Sequence, residues 1–183
     1  MNRENHASKK EIFNSLSRKS SEKAELLHRI FKAHGINFAT GIPCGVLRDV
    51  IDNLLSDSEI QHVSVNRESE AIGIAAGAYL SGKIPIVYMQ NSGLFASSND
   101  IASLIIPYRI PMFFVVSYRG CKGEDAVQHF VTGQATEQLL RSFGLPYAIY
   151  DKQDLKILID RLFFTMKQKN LPAILLLKRG WSL

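Results

Sequence analysis

Short apolar runs with no charged side chain constrain this chain more than any other feature. IPIVYM (84–89), PMFFVV (111–116) and AILLL (173–177) are apolar on both faces of an extended strand. A strand wetted on one side alternates, whereas a strand apolar on both sides must be covered on both sides, as in a parallel sheet between two helical layers. Stretches of helical length separate the runs. The alternation predicts strands over 36–40, 61–65, 85–89, 111–117, 147–150 and 173–177, with helices over 45–55, 69–81, 97–106, 134–143 and 153–167 between them. A helix precedes the first strand. Ser21 is its N-cap, Glu22 and Glu25 occupy its first turn, Leu26, Leu27, Ile30, Phe31 and His34 recur at helical spacing, and Gly35 ends it. This pattern defines an α/β fold, a three-layer α/β/α domain around a six-stranded, mainly parallel sheet with right-handed crossovers.

The length of 183 residues fits one such domain, over 21–183, behind a basic extension over 1–20. The extension is polar, reads as mobile or loosely docked, and has room for one short helix near 12–16. Five of the 22 basic residues and two of the 17 acidic ones fall in it, so +3 of the net +5 charge belongs to the extension. The domain itself is close to neutral, which argues against a nucleic-acid-binding surface. No apolar run reaches the roughly 20 residues of a membrane span. The segment MNRENHASKKEIF has no apolar core, so a secretory signal is not expected. Cys44 and Cys121 form neither a CxxC nor a disulfide framework, which points to a reducing compartment, the cytoplasm. His6, His28, His34, His62 and His129 are scattered, so no metal site is expected in this chain.

In a parallel sheet ligands bind at the carboxyl ends of the strands, which makes four loops candidates. TGIPCG (40–45) is a turn that lets backbone approach a ligand, or an ordinary strand-to-helix turn. VNRESEA (65–71) carries Glu68 and Glu70 at a helix start, where either carboxylate is favourable for electrostatic reasons alone. The helix that follows holds Gly73 and Gly77, each costing about 1 kcal/mol of helix propensity, so close packing at an interface must offset them. QNSGLFASSND (90–100) reads as a loop able to cradle a ligand through backbone N–H groups, and it lacks the phosphate-loop pattern. SYRGCKGEDAVQH (117–129) is long and of mixed charge. Arg119, Lys122 and His129 are positioned there either to meet an anionic substrate or to be solvated.

Taken in order, GIPCGVL (41–47), NRESEAIGIAAGAYLSGK (66–83), YMQNSGL (88–94) with Asn99, SYRGCKGEDAVQH (117–129) and GQATEQLLRSFGLPY (133–147) resemble one family. They are similar to the pyrimidine-binding domain of thiamine-diphosphate-dependent decarboxylases, in the branch of sulfopyruvate and phosphonopyruvate decarboxylases. The resemblance spans about 22–178 and implies the thiamine-diphosphate-binding fold. In that family a glutamate hydrogen-bonds N1′ of the coenzyme's aminopyrimidine and so promotes loss of the thiazolium C2 proton. The carbanion attacks a 2-oxo acid, and the ring takes up the electrons left by CO2. The family spacing Glu-x-x-Ala-x-x-x-Ala-x-Gly falls on Glu68, Ala71, Ala75 and Gly77, which selects Glu68 as catalytic and leaves Glu70 as a helix-start carboxylate.

The resemblance further implies that Pro43, Gln90, Asn91, Ser92 and Asn99 join Glu68 at the coenzyme. Cys44, Leu94, Phe95, Arg119, Gln128 and His129 are implied at an anionic 2-oxo acid. Where relatives read Gly-Leu-Gly-Asn, Leu94 is followed here by Phe95 and Ala96, a ring near the pocket. The Gly-Asp-Gly and Asn-Asn motifs that hold the diphosphate and Mg²⁺ do not occur in that arrangement. A separate diphosphate-binding beta subunit is therefore implied, in a hetero-oligomer, with the small-residue helix at the interface. Decarboxylation of sulfopyruvate or phosphonopyruvate is the expected activity. A carboligating or altered-substrate subunit and a non-catalytic regulatory subunit are the alternatives, both raised by Phe95.

Overall fold

Each apolar run becomes a central strand in the computed structural model of the chain, which describes residues 20–121, 123–124 and 126–182. The short helix expected near 12–16 and nearly all of the basic extension lie outside the described residues, as does Lys122. Ser21 caps the first helix as expected, its Oγ accepting the Ala24 N–H at 3.3 Å. The elements then follow in order: α1 (Glu22–Ala33), β1 (Phe38–Gly41), a 3₁₀ turn (Gly45–Leu47), α2 (Arg48–Ser56), β2 (Gln61–Ser64), α3 (Glu68–Leu80), β3 (Pro85–Gln90), α4 (Asn91–Ala96), β4 (Phe113–Tyr118), α5 (Phe130–Ser142), β5 (Tyr147–Tyr150), α6 (Leu155–Lys169) and β6 (Ala173–Lys178).

The six strands form one sheet of order β2-β1-β3-β4-β6-β5, and every pairing is parallel, not merely most of them. Successive strand residues serve opposite layers. Ile86, Tyr88, Phe113 and Val115 pack under α1, α2 and α6, whereas Val87, Met89, Phe114 and Val116 pack under α3, α4 and α5. This is why the central strands need apolar residues at every position. Phe113 anchors the first layer, stacked 4.4 Å from Phe163 and tilted 5.5 Å from Phe31. The edge strand β2 (QHVS) is half-exposed and correspondingly polar.

Chain direction decides which layer each helix joins. The connections β1 to β2 and β5 to β6 run one way along the sheet and place α2 and α6 on one face. The connections β2 to β3, β3 to β4 and β4 to β5 run the other way and place α3, α4 and α5 on the opposite face. Right-handed crossovers require this division. It makes β1 and β3 neighbours whose chains leave in opposite directions, so a crevice opens at their carboxyl ends. Among the described residues no helix is long and apolar enough to cross a membrane.

Two segments differ from expectation. Residues 91–96 form a helix rather than a loop. The helix expected over 97–106 is a single turn (Ser98–Asp100) that widens into a π-helical stretch (Ile101–Ile105).

Candidate active site

The two glutamates at the start of α3 take different positions. Glu70 turns back, and its Oε2 accepts the Asn66 N–H at 3.0 Å, closing the helix start from the solvent side. Glu68 is half-buried and lies against α4. A Cβ built at Gly93 would stand 2.6 Å from Glu68 Cγ and 2.9 Å from its Oε1. Glycine at 93 is therefore the condition for Glu68 to occupy this place.

Buried polar contacts hold α4. Asn91 is fully buried. Its Nδ2 donates to the Arg119 carbonyl and to Thr136 Oγ1, both at 2.9 Å, and its Oδ1 accepts the Arg119 N–H at 3.2 Å. Ser97 Oγ donates to the Gly93 carbonyl at 2.6 Å. Leu94 is fully buried in the core layer beneath α3. Asn91 and Leu94, expected at coenzyme and substrate, are thus inside the chain and not on the crevice wall. Their side chains position the groups around them. Asn91→Ala is expected to cost about 3 kcal/mol, since it removes three hydrogen bonds from a buried site; a lowered urea midpoint checks this.

The segment after β4 is fixed by a backbone crossing and an ion pair. Gly120 and Gly133 pack against each other so closely that a Cβ at Gly133 would lie 2.2 Å from the Gly120 carbonyl oxygen. Tyr118 Oη donates to the Gly133 carbonyl at 3.1 Å. Arg119 Nε donates to both oxygens of Glu124 at 2.9 Å, and its Nη2 also pairs with Glu124 Oε1. The Glu124 side chain is only 3% exposed. Hydrogen bonds from Arg119 hold the Glu124 carboxyl below its ordinary value of 4.5, against the opposing effect of burial, and the same pairing raises Arg119. A depressed carboxyl stabilises the fold above its unfolded value and loses that contribution as pH falls through the lower folded value. Wild type should therefore lose stability as pH falls below about 4.5, and Glu124→Gln should flatten that limb in a denaturation series across pH.

The remaining expected residues divide between the crevice and the surface. Gln90 Nε2 donates to Ser92 Oγ at 2.8 Å and lies 3.4 Å from His129 Nδ1, which joins the ends of β3 and the loop before α5. Ser117 Oγ donates to Cys44 Sγ at 3.1 Å, joining the ends of β4 and β1. Pro43, Asn99 and Gln128 are exposed, and Phe95 is half-buried on α4. Asn99 Oδ1 accepts from Ser103 Oγ at 3.2 Å. A cleft of about 630 Å³ opens at Gly45, with Arg48, Asp49, Arg119, Arg179 and Trp181 in its wall. Sequence reasoning missed Arg48, Arg179 and Trp181, and it missed the pairing of Arg119 with Glu124. No motif marks them, because the topology alone brings their loops together. Among the described residues no group of three or more His, Cys, Asp or Glu is placed to hold a metal ion.

A parallel sheet with a half-buried carboxylate at a helix start on its carboxyl side is the frame of a coenzyme-binding α/β domain. The family model described as thiamine pyrophosphate enzyme, N-terminal TPP binding domain, matches residues 22–140. The chain is 36% identical over 161 residues to the sulfopyruvate decarboxylase subunit alpha of Methanococcus maripaludis, covering 87% of this chain and 96% of that one. It is 41% identical over 126 residues to the subunit of the same name from Methanothermobacter thermautotrophicus, covering 69% and 76%. It is 38% identical over 107 residues to the phosphonopyruvate decarboxylase of Streptomyces viridochromogenes, covering 58% of this chain and 27% of that longer protein. The chain belongs to the thiamine pyrophosphate enzyme family and carries its N-terminal TPP-binding domain.

Proposed function

We propose that this chain is the pyrimidine-binding subunit of a thiamine-diphosphate-dependent decarboxylase acting on sulfopyruvate or phosphonopyruvate. A separate chain holds the diphosphate and Mg²⁺. The observation that carries this reading is the seating of Glu68 on Gly93, which keeps a half-buried carboxylate at a fixed place at the start of α3. The donor set fits an aminopyrimidine: a carboxylate for its ring N1′, with Gln90 and Ser92 as neighbouring amide and hydroxyl.

When bound, the coenzyme supplies a nucleophilic carbon for the 2-oxo group and a sink for the electrons left as CO2 departs. Glu68 would hold the aminopyrimidine through a hydrogen bond at N1′, the ring atom whose proton the family chemistry uses. Arg119 meets negative charge on the substrate, oriented by Glu124 at the guanidinium and by Asn91 at the backbone. His129 stands beside Gln90, its Nδ1 3.4 Å from the Gln90 amide, and joins Arg119 as a substrate-binding side chain.

Two observations support the companion chain. The relatives named as alpha subunits are covered for 96% and 76% of their lengths. On α3, Gly73, Ile74, Gly77 and Leu80 are exposed, and a Cβ at Gly73 or Gly77 would touch nothing within 4 Å. This flat apolar strip is where the diphosphate-binding chain docks. The test mixes the two chains with thiamine diphosphate, Mg²⁺ and either 2-oxo acid and follows CO2. Turnover that needs both chains is expected. Absence of CO2 from an assembled complex with either acid would refute the reading.

A further inference from the structure

The 630 Å³ cleft is built from three loops far apart in sequence: those after β1, β4 and β6. Each brings one arginine to its wall, namely Arg48, Arg119 and Arg179. We propose that these three residues form one subsite for the distal anionic group of the substrate, a three-oxygen sulfonate or phosphonate. The proposal deepens the decarboxylase reading and rests on it.

Charge in the cleft is only partly compensated. Arg119 gives Nε and Nη2 to Glu124. Arg48 has Asp52 4.0 Å from its Nε, a contact exposed to solvent on both sides. Arg179 makes no ion pair among the described residues. Asp49 also stands in the wall, and its Oδ2 accepts the Ser21 N–H at 3.2 Å. Three guanidinium groups lining one concave site supply enough N–H donors for the three oxygens of a tetrahedral oxyanion, and Arg48 and Arg179 keep theirs exposed to the cleft and solvent.

Trp181 makes the arrangement a built one. Its Nε1 donates to the Val46 carbonyl at 3.1 Å, and its ring packs edge-on against Tyr150. Val46 lies two residues before Arg48, and Arg179 lies two residues before Trp181. One hydrogen bond therefore ties the two arginine-bearing loops together. Arg119 links the cleft to the reacting end: its backbone is pinned by Asn91, two residues from the Gly93 that seats Glu68.

The test has two arms. In the assembled two-chain enzyme, Arg48→Gln and Arg179→Gln should each lower the ratio of kcat/KM for sulfopyruvate or phosphonopyruvate over that for pyruvate by roughly tenfold, as expected for a lost charge-assisted hydrogen bond. The loss should appear mainly in KM, and Arg→Lys should restore part of it. An unchanged ratio in both variants overturns the proposal. In the second arm, the full chain is titrated calorimetrically with methanesulfonate and with methylphosphonate, neither of which reacts. Binding of one or both that is lost in the two Gln variants supports the subsite, and the tighter probe tells which headgroup it takes. No binding of either probe overturns it. Probe binding without turnover would sink the decarboxylase reading alone; turnover with an unchanged ratio would sink the subsite alone.

Discussion

Glu68→Gln is expected to slow CO2 release by roughly 10³-fold in the assembled complex while the subunit stays folded, because the proposed role makes this carboxylate the group whose proton position governs the reaction. Glutamine keeps the length and shape of the side chain and can still hydrogen-bond, but it cannot share a proton with N1′ in the same way. The half-buried position of Glu68 makes this substitution mild for the fold. Circular dichroism and the unfolding midpoint should match wild type. Turnover within a few-fold of wild type would remove Glu68 from the catalytic role. Glu70→Gln is the matched control: its carboxylate closes a helix start and faces solvent.

Gly93→Ala should produce the second large effect, and by a different route. The new methyl would sit 2.6 Å from Glu68 Cγ and 2.9 Å from Oε1, closer than packed atoms allow. What it meets is a side chain and not backbone, so Glu68 can swing aside. Alanine also gains about 1 kcal/mol of helix propensity over glycine, which offsets part of an overpacking cost of about 1–3 kcal/mol. Stability should change little, yet a displacement of the order of an ångström at the carboxylate should cost about 10²-fold in kcat. The double variant Glu68→Gln/Gly93→Ala should be no slower than Glu68→Gln alone, because both changes act through the same group. Additive losses would mean that Gly93 acts on something other than Glu68.

The sheet was legible because burial on both faces leaves a signature that depends on no partner: residues such as Val87 and Tyr88 must both be apolar, whichever layer each meets. The first helix was legible from its cap, since Ser21 and the Ala24 N–H lie within one turn. Helix α4 was not. NSGLFA has weak helix propensity and reads as a turn. It forms a helix because Asn91 finds three partners on two distant elements and Leu94 drops into the core. Helix α5 begins at Phe130, four residues before the start expected at 134, and the missing side chain of Gly133 within it admits Gly120. At the site, family spacing alone singles out Glu68 over Glu70; Glu70 stands at the helix start with its Oε2 accepting the Asn66 N–H. The arginine cleft had no local signal, since Arg48, Arg119 and Arg179 meet only through strand order.

The contact between residues 68 and 93 also offers a marker for loss of chemistry in a duplicated copy, if position 68 has the proposed role. A duplicated gene copy released from chemistry would be free to replace the acidic side chain, and the constraint on its small neighbour would lapse at the same moment. The buried amide at 91 and the leucine at 94 would still be demanded by folding. Drift confined to 68 and 93, with 91 and 94 kept, would therefore mark a copy that survives only as scaffolding.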